Sequence, residues 1–142
     1  MRTFYKKTRE YQLIEGYFMA TIPSTGKNSP FREISIQHIF AINRKDEEAH
    51  YLKHVHNKKL LWNASRMTDT VKILKNGFDW MAKELYELHE PAPHASFCDM
   101  ISNCLPHTFV TPQNNTVFFF LCEVALGEVL VFKAQSQDDK SR

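Results

Sequence analysis

The amino-acid sequence predicts an α+β fold, with a mostly antiparallel sheet and flanking helices. Three kinds of segment support this prediction: apolar runs typical of buried strands, stretches with helical spacing, and turn-rich connections between them. The chain has 142 residues, of which 43% are hydrophobic. That is enough for one domain with a single packed core.

The first third of the chain is predicted to contain two strands and a charged helix. Residues 11–22 combine apolar and aromatic side chains and end before Pro23, which predicts a strand. The turn-rich segment 24–30 separates it from a second predicted strand over residues 33–43, where isoleucines alternate. Residues 45–55 are rich in charged side chains and are predicted to form a short helix.

A third strand and two helices are predicted next. Residues 59–64 are mostly apolar and predict a buried strand. Helical spacing over residues 68–76 predicts a helix with Thr68 as its N-cap and Gly77 at its end. Residues 79–90 contain strong helix formers at helical spacing and predict another helix.

The remainder is predicted to form a central strand and a polar tail. Residues 116–126 are apolar almost throughout, which predicts a strand buried on both faces beside residues 59–64. The domain organisation we expect is a basic arm over residues 1–10, one domain over residues 11–133, and a polar tail over residues 134–142.

Composition narrows the functional classes. The net charge is only +2 and the basic residues are scattered, so we expect no direct nucleic-acid-binding surface. The N-terminal segment lacks the apolar core of a signal peptide, and the longest apolar run is too short to cross a bilayer. Three cysteines without a C-x-x-C pair fit a reducing compartment. We therefore expect a nuclear or cytoplasmic protein that does not enter a membrane.

Residues 60–66 read L-L-W-N-A-S-R and lie where an apolar strand meets a predicted helix. This motif resembles L-L-W-H-G-S-R at the same junction of the poly(ADP-ribose) polymerase (PARP) catalytic domain. Further blocks follow in the family's order, and residues 36–43 resemble its upstream strand. The similar pairs are H-N-K-K-L-L at 56–61 with H-N-R-R-L-L, F-C-D-M at 97–100 with F-A-D-M, and L-C-E-V-A-L-G at 121–127 with L-G-E-V-A-L-G.

The resemblance implies an ADP-ribosyltransferase-like fold, here incomplete at its C-terminus, and NAD as the family's substrate. In the family, the motif His holds the ribose, the motif Gly exposes backbone groups to the carboxamide, and a Tyr before F-A-D-M stacks on the donor. This chain has Asn63, Ala64 and Ser96 at these positions. The family's catalytic Glu has no counterpart, because the sequence ends before its strand, and Glu123 corresponds to a structural Glu.

No catalytic residue of the family is therefore expected to be intact, and Asn63 and Ser96 are degenerate catalytic positions. The residues that the resemblance places at the NAD site are Asn63, Ala64, Ser65, Arg66, Ser96 and Phe97. Our leading hypothesis is a domain with absent or much reduced transferase activity that acts by binding a protein partner or, weakly, NAD or another nucleotide.

Two alternatives stay open. The first is an active mono-ADP-ribosyltransferase that uses Asn63 in place of the motif His. The second is a zinc-stabilised interaction module built on His94, Cys98, Cys104 and His107, although this spacing is unusual for zinc and ordinary buried thiols are favoured. We therefore expect no metal site.

Overall fold

The computed structural model describes residues 1–22, 34–78, 95–108, 110–111 and 113–131. Its strands are β1 (Arg2–Phe4), β2 (Ile39–Ala41), β3 (Lys58–Ala64) and β4 (Phe119–Ala125). Its helices are α1 (Arg9–Thr21), α2 (Lys45–His50), α3 (Met67–Asn76) and α4 (Ile101–Cys104), the last continued by the 3-10 turn Leu105–His107. The predicted α+β class is confirmed.

The strands form two separate antiparallel pairs rather than one sheet. β1 pairs with β2, and β3 pairs with β4 over their full lengths, with Lys58 opposite Ala125 and Ala64 opposite Phe119. The β3–β4 pairing is extended at one end by hydrogen bonds from the Leu126 and Gly127 amides to the carbonyls of Asn57 and His56. This pairing confirms the prediction that the strand over residues 59–64 lies beside the strand predicted over residues 116–126.

The core lies between β3, α1 and α4. It consists of the buried side chains of Phe18, Trp62, Ile101, Cys104 and Leu105. The Trp62 ring stacks on Tyr17 with centroids 5.3 Å apart and meets the edge of Phe18 at 5.8 Å. Because Trp62 belongs to β3, this packing fixes the strand that leads to the motif junction.

The prediction of a strand over residues 11–22 is wrong, because these residues form α1. Thr8 caps the helix by accepting a hydrogen bond from the Tyr11 amide at 3.3 Å. Tyr11, Phe18 and Thr21 are buried, and their spacing places them on one helical face. The aromatic residues therefore lie on a helix that packs on the core. This packing outweighs their intrinsic preference for strands.

Other boundaries also differ from the prediction. β2 covers only Ile39–Ala41 of the predicted strand, and α2 ends at His50 rather than at residue 55. β4 begins at Phe119, and its residues are half-buried or exposed instead of buried on both faces. Among the described residues, β3 is the strand that pairs with it.

The predicted helix after the motif is confirmed, but its N-cap is not Thr68. α3 begins at Met67 with Arg66 as N-cap, and no side chain caps it. Gly77 ends the helix with φ of 71°, which only glycine adopts readily, as predicted. The prediction of a helix over residues 79–90 and of a polar tail over residues 134–142 lies outside the described residues.

Within the described part of the chain, no helix combines the length and the apolar character that a membrane span requires.

Candidate functional site

The candidate site lies where β3 ends and α3 begins, and a neighbouring chain segment forms its wall. The backbone of Cys98 pairs with that of Trp62 through two hydrogen bonds, of 2.7 and 2.8 Å. This bridge holds residues 95–98 along the edge of β3 opposite to β4. It therefore brings Ser96, which is 33 residues away along the chain, beside Asn63.

Asn63 is engaged in internal hydrogen bonds. Its side chain is buried, with 5% of its surface exposed. The Nδ2 group donates to the Ser96 carbonyl at 2.9 Å, and Oδ1 accepts from the Ser65 hydroxyl at 2.8 Å. A carbonyl only accepts, so the orientation of this amide is fixed by its partner. The side chain thus ties the end of β3 to the Ser96 segment instead of pointing its polar atoms at a ligand.

Ala64 and Ser96 occupy the two other altered positions. Ala64 is half-buried on β3 opposite Phe119, and its methyl group packs against the core. Ser96 is exposed, and its carbonyl is the group that meets Asn63. Neither position carries an aromatic ring onto which a nicotinamide could stack.

Phe97 belongs to a cluster of three rings near the same junction. Its centroid lies 5.3 Å from that of Phe78, which in turn lies 5.8 Å from that of Phe120. Phe120 is the β4 partner of Asn63. Phe97 therefore packs against the protein itself, and Phe78 and Phe120 were not predicted because only the fold brings them together.

Ser65 and Arg66 line a shallow groove on the outer side of the junction. The groove is open to solvent and encloses a cavity volume of only about 20 Å³. Its other lining residues are Met67, Asn114, Thr116, Val117 and Phe118. Ligand pockets for drug-sized molecules usually measure about 300–1,000 Å³, so a ligand at this groove would rest on an open surface rather than fill a pocket.

The groove combines charge, hydrogen-bonding groups and apolar surface. Arg66 is exposed and adds positive charge, and the lone pairs of the Ser65 hydroxyl remain able to accept a hydrogen bond while its proton goes to Asn63. Residues 116–118 were predicted only as the start of a strand, and residues 114 and 115 were assigned to no element. The N-N-T sequence and the paired hydrogen bonds between Thr111 and Asn114 identify a turn there, and that polar cluster was the available signal.

The acidic residue of β4 lies away from this junction. Glu123 is opposite Leu60 in the register, whereas Asn63 is opposite Phe120. Its carboxylate accepts a 2.6 Å hydrogen bond from the Tyr51 hydroxyl, and this bond is the main cause of the raised pKa of Tyr51. Three residues along a strand correspond to about 10 Å, so Glu123 does not face a ligand held by Asn63.

The thiols of Cys98 and Cys104 lie near one another behind β3. The Cys104 Sγ is 3.4 Å from the Trp62 carbonyl. Burial, and then a hydrogen bond with Cys98, raises the pKa of Cys104 to about 12. Among the described residues no three His, Cys, Asp or Glu side chains form a metal-binding group, and His94 lies outside them.

Comparison with known proteins places this site in a family. The family model "Poly(ADP-ribose) polymerase catalytic domain" matches residues 8–142. The chain belongs to the PARP catalytic-domain family. It is 30% identical over 135 residues to "Poly [ADP-ribose] polymerase" of Drosophila melanogaster, covering 88% of this chain and 13% of that protein.

Two further relatives give the same result. The chain is 28% identical to "Poly [ADP-ribose] polymerase 1" of Oryza sativa subsp. japonica, covering 92% of this chain and 14% of that protein. It is 26% identical to "Poly [ADP-ribose] polymerase 2" of Homo sapiens, covering 90% of this chain and 22% of that protein. The chain thus spans between about an eighth and about a fifth of the length of these relatives.

Proposed function

We propose that this chain is a PARP-type ADP-ribosyltransferase-like domain whose transferase activity is lost or strongly reduced, and which acts by binding. The observation that carries the proposal is the state of Asn63, since both ends of its amide are hydrogen-bonded within the protein. A ribose hydroxyl would have to compete with these bonds at a position where 5% of the side chain is exposed.

The nicotinamide end of NAD does not fit the residues present. Ala64 adds a methyl group, Ser96 offers no ring, and the cluster of Phe78, Phe97 and Phe120 is used internally. Transfer of ADP-ribose also requires a carboxylate near the developing positive charge, and Glu123 is committed to Tyr51. We therefore derive no transfer step at this junction.

Binding is supported by the groove at Ser65 and Arg66. An exposed guanidinium suits a phosphate, and the apolar surface of Met67, Val117 and Phe118 suits a flat base or an aromatic side chain. The proposed ligand is a nucleotide bound weakly, or a protein partner that places a side chain in the same groove. The proposed localisation is nuclear or cytoplasmic, as expected from the sequence.

The test restores the family's residues and measures binding and chemistry separately. We expect the triple variant Asn63→His, Ala64→Gly, Ser96→Tyr to bind NAD more tightly, since a restored stacking face is worth about 1 kcal/mol. Nicotinamide release should improve less, because loss of a charge-stabilising group typically costs about 100-fold or more in rate. Calorimetric titration gives the affinity, and chromatography gives the released nicotinamide.

Arg66→Ala is the matching variant on the binding side. It should weaken binding of ADP-ribose to the unaltered junction about tenfold, since hydrogen bonds to charged groups contribute about 1.5–3 kcal/mol. Lys59→Ala removes an exposed positive charge from β3 and should leave the affinity unchanged. Ordinary transferase rates in the triple variant would contradict the proposal, and so would equal affinity in the Arg66 and Lys59 variants.

A further inference from the structure

Positive charge is concentrated in the first nine residues. Arg2, Lys6, Lys7 and Arg9 are four of the 18 basic residues, and none of the 16 acidic residues lies in this segment. The other residues therefore carry 14 basic and 16 acidic side chains, a formal net charge of −2. All four basic residues are exposed. The net charge of +2 is thus the sum of a basic N-terminal segment and a slightly acidic remainder of the chain.

The β1–β2 sheet presents an exposed face beside these charges. Thr3 lies opposite Phe40 in the antiparallel register, so their side chains share one face of the sheet. The Phe40 side chain is 43% exposed, and the His38 ring lies 5.9 Å from it at an angle of 31°. His38 directly precedes β2, and this contact places its ring beside that of Phe40.

Tyr5 comes directly after β1, which ends at Phe4. It follows Thr3 by two positions and is 73% exposed. Its carbonyl accepts hydrogen bonds of 2.8 Å from both the amide and the hydroxyl of Thr8, which closes a turn with Lys6 and Lys7 at its tip. Thr8 also caps α1, so the turn is anchored to a helix and the two lysines are held beside the tyrosine.

We propose that this surface, formed by Tyr5, Lys6, Lys7, His38 and Phe40, binds single-stranded nucleic acid. Exposed rings on a sheet stack with unpaired bases, and adjacent lysines neutralise the phosphates that follow along the strand. A duplex keeps its bases stacked internally and offers these rings no free base. An acidic peptide supplies negative charge but does not carry a flat ring on every charged unit, as a nucleic-acid strand does. The combination of rings and cations therefore favours a single strand.

The surface is independent of the site at the β3–α3 junction. Tyr5, Lys6 and Lys7 precede residue 8, where the family match begins. The nucleic-acid proposal therefore does not rest on the proposed loss of transferase activity, and it revises the expectation from net charge that no such surface exists.

The test uses the full chain and a fluorescein-labelled oligodeoxythymidylate of ten nucleotides, with anisotropy measured at several salt concentrations. We expect Lys6→Ala combined with Lys7→Ala to weaken binding and to flatten the plot of log K against log salt by about 1.4, because each phosphate contact to a single strand contributes about 0.7. The matched double variant Lys59→Ala, Lys75→Ala removes two exposed charges elsewhere and should keep the original slope.

The aromatic variants separate stacking from charge. Tyr5→Ala combined with Phe40→Ala should weaken binding about tenfold or more while the salt slope stays the same. Phe40→Tyr should retain the affinity, and Leu130→Ala, at a side chain 83% exposed, should have no effect. The proposal is overturned if the aromatic variants bind as well as the parent. It is also overturned if inorganic polyphosphate, polyglutamate or a DNA duplex competes as well as the unlabelled single strand.

Discussion

Among the residues of the candidate site, Asn63 bears most directly on function. Its side-chain amide forms hydrogen bonds with two other groups of the protein, the Ser96 carbonyl and the Ser65 hydroxyl. A buried amide bonded at both ends stabilises the junction and leaves less capacity for a ligand. The position that holds a ribose in the resembling motif here connects two segments of the protein.

This role predicts a stability cost for Asn63→Ala. The substitution removes both hydrogen bonds and should lower the free energy of unfolding by about 1–3 kcal/mol. Asn115→Ala, the same change at an exposed loop residue, should alter it by no more than about 0.5 kcal/mol. Urea denaturation of the two variants provides the comparison. Equal, negligible effects would show that the Asn63 amide does not tie the segments together.

The sequence identifies the altered residues of the site but not their contacts. The motif and the block at 97–100 are enough to predict that Asn63, Ala64 and Ser96 replace the family's residues. The hydrogen bond from Asn63 to Ser96 spans 33 residues and depends on the backbone bridge between Trp62 and Cys98. No local sequence pattern predicts a contact between segments so far apart in the chain. The polar half of the groove was missed for another reason: residues 116–118 were predicted as the start of a strand, although the N-N-T sequence at 114–116 was a local signal for a turn.

At the scale of elements, α1 shows where pattern recognition failed. Its apolar and aromatic content favours a strand, and Pro23 follows the segment as a strand terminator would. The spacing of Tyr11, Phe18 and Thr21 fits one helical face, and Thr8 supplies a cap, so the helical signal was present. In contrast, β3 and α3 were predicted with nearly the right bounds, because an apolar run and a terminal glycine leave fewer competing interpretations. The first half of β3 is nevertheless exposed rather than buried, with Leu60 55% exposed.

Gly16 provides a direct test of α1. A Cβ atom added there meets nothing within 4 Å, so Gly16→Ala should stabilise the protein by about 0.5–1 kcal/mol. Gly16→Val should stabilise it less, because β-branched residues are poorer helix formers but better strand formers. Thermal unfolding should rank the two variants in this order. The reverse order would indicate that residues 9–21 are not helical.

Gly77→Ala is the matched control for this experiment. Gly77 has φ of 71° and ψ of −168°, and an added Cβ would lie 3.4 Å from the Glu47 carboxylate. The same Gly-to-Ala change should therefore destabilise the protein, by about 1–3 kcal/mol, since this backbone region is essentially restricted to glycine. Opposite changes in the free energy of unfolding at the two glycines would distinguish helix propensity from a general effect of adding a methyl group.

At the scale of the whole molecule, the pairing of β3 with β4 determines which side chains lie together at the candidate site. Trp62 anchors β3 in the core, and β4 places Phe120 opposite Asn63 and Glu123 farther along. The groove at Ser65 and Arg66 lies beyond the end of β3, outside this packed region. The fold thus separates a junction whose polar side chains bond within the protein from an exposed groove.

The release of nicotinamide from NAD by the unaltered chain is the measurement that tests this account most directly. Because Asn63 is bonded internally and Glu123 is bonded to Tyr51, we expect no release above the protein-free background and no incorporation of labelled ADP-ribose into the chain. Release above background that disappears in a folded Asn63→Ala variant would contradict the account and identify Asn63 as a working residue of an active transferase.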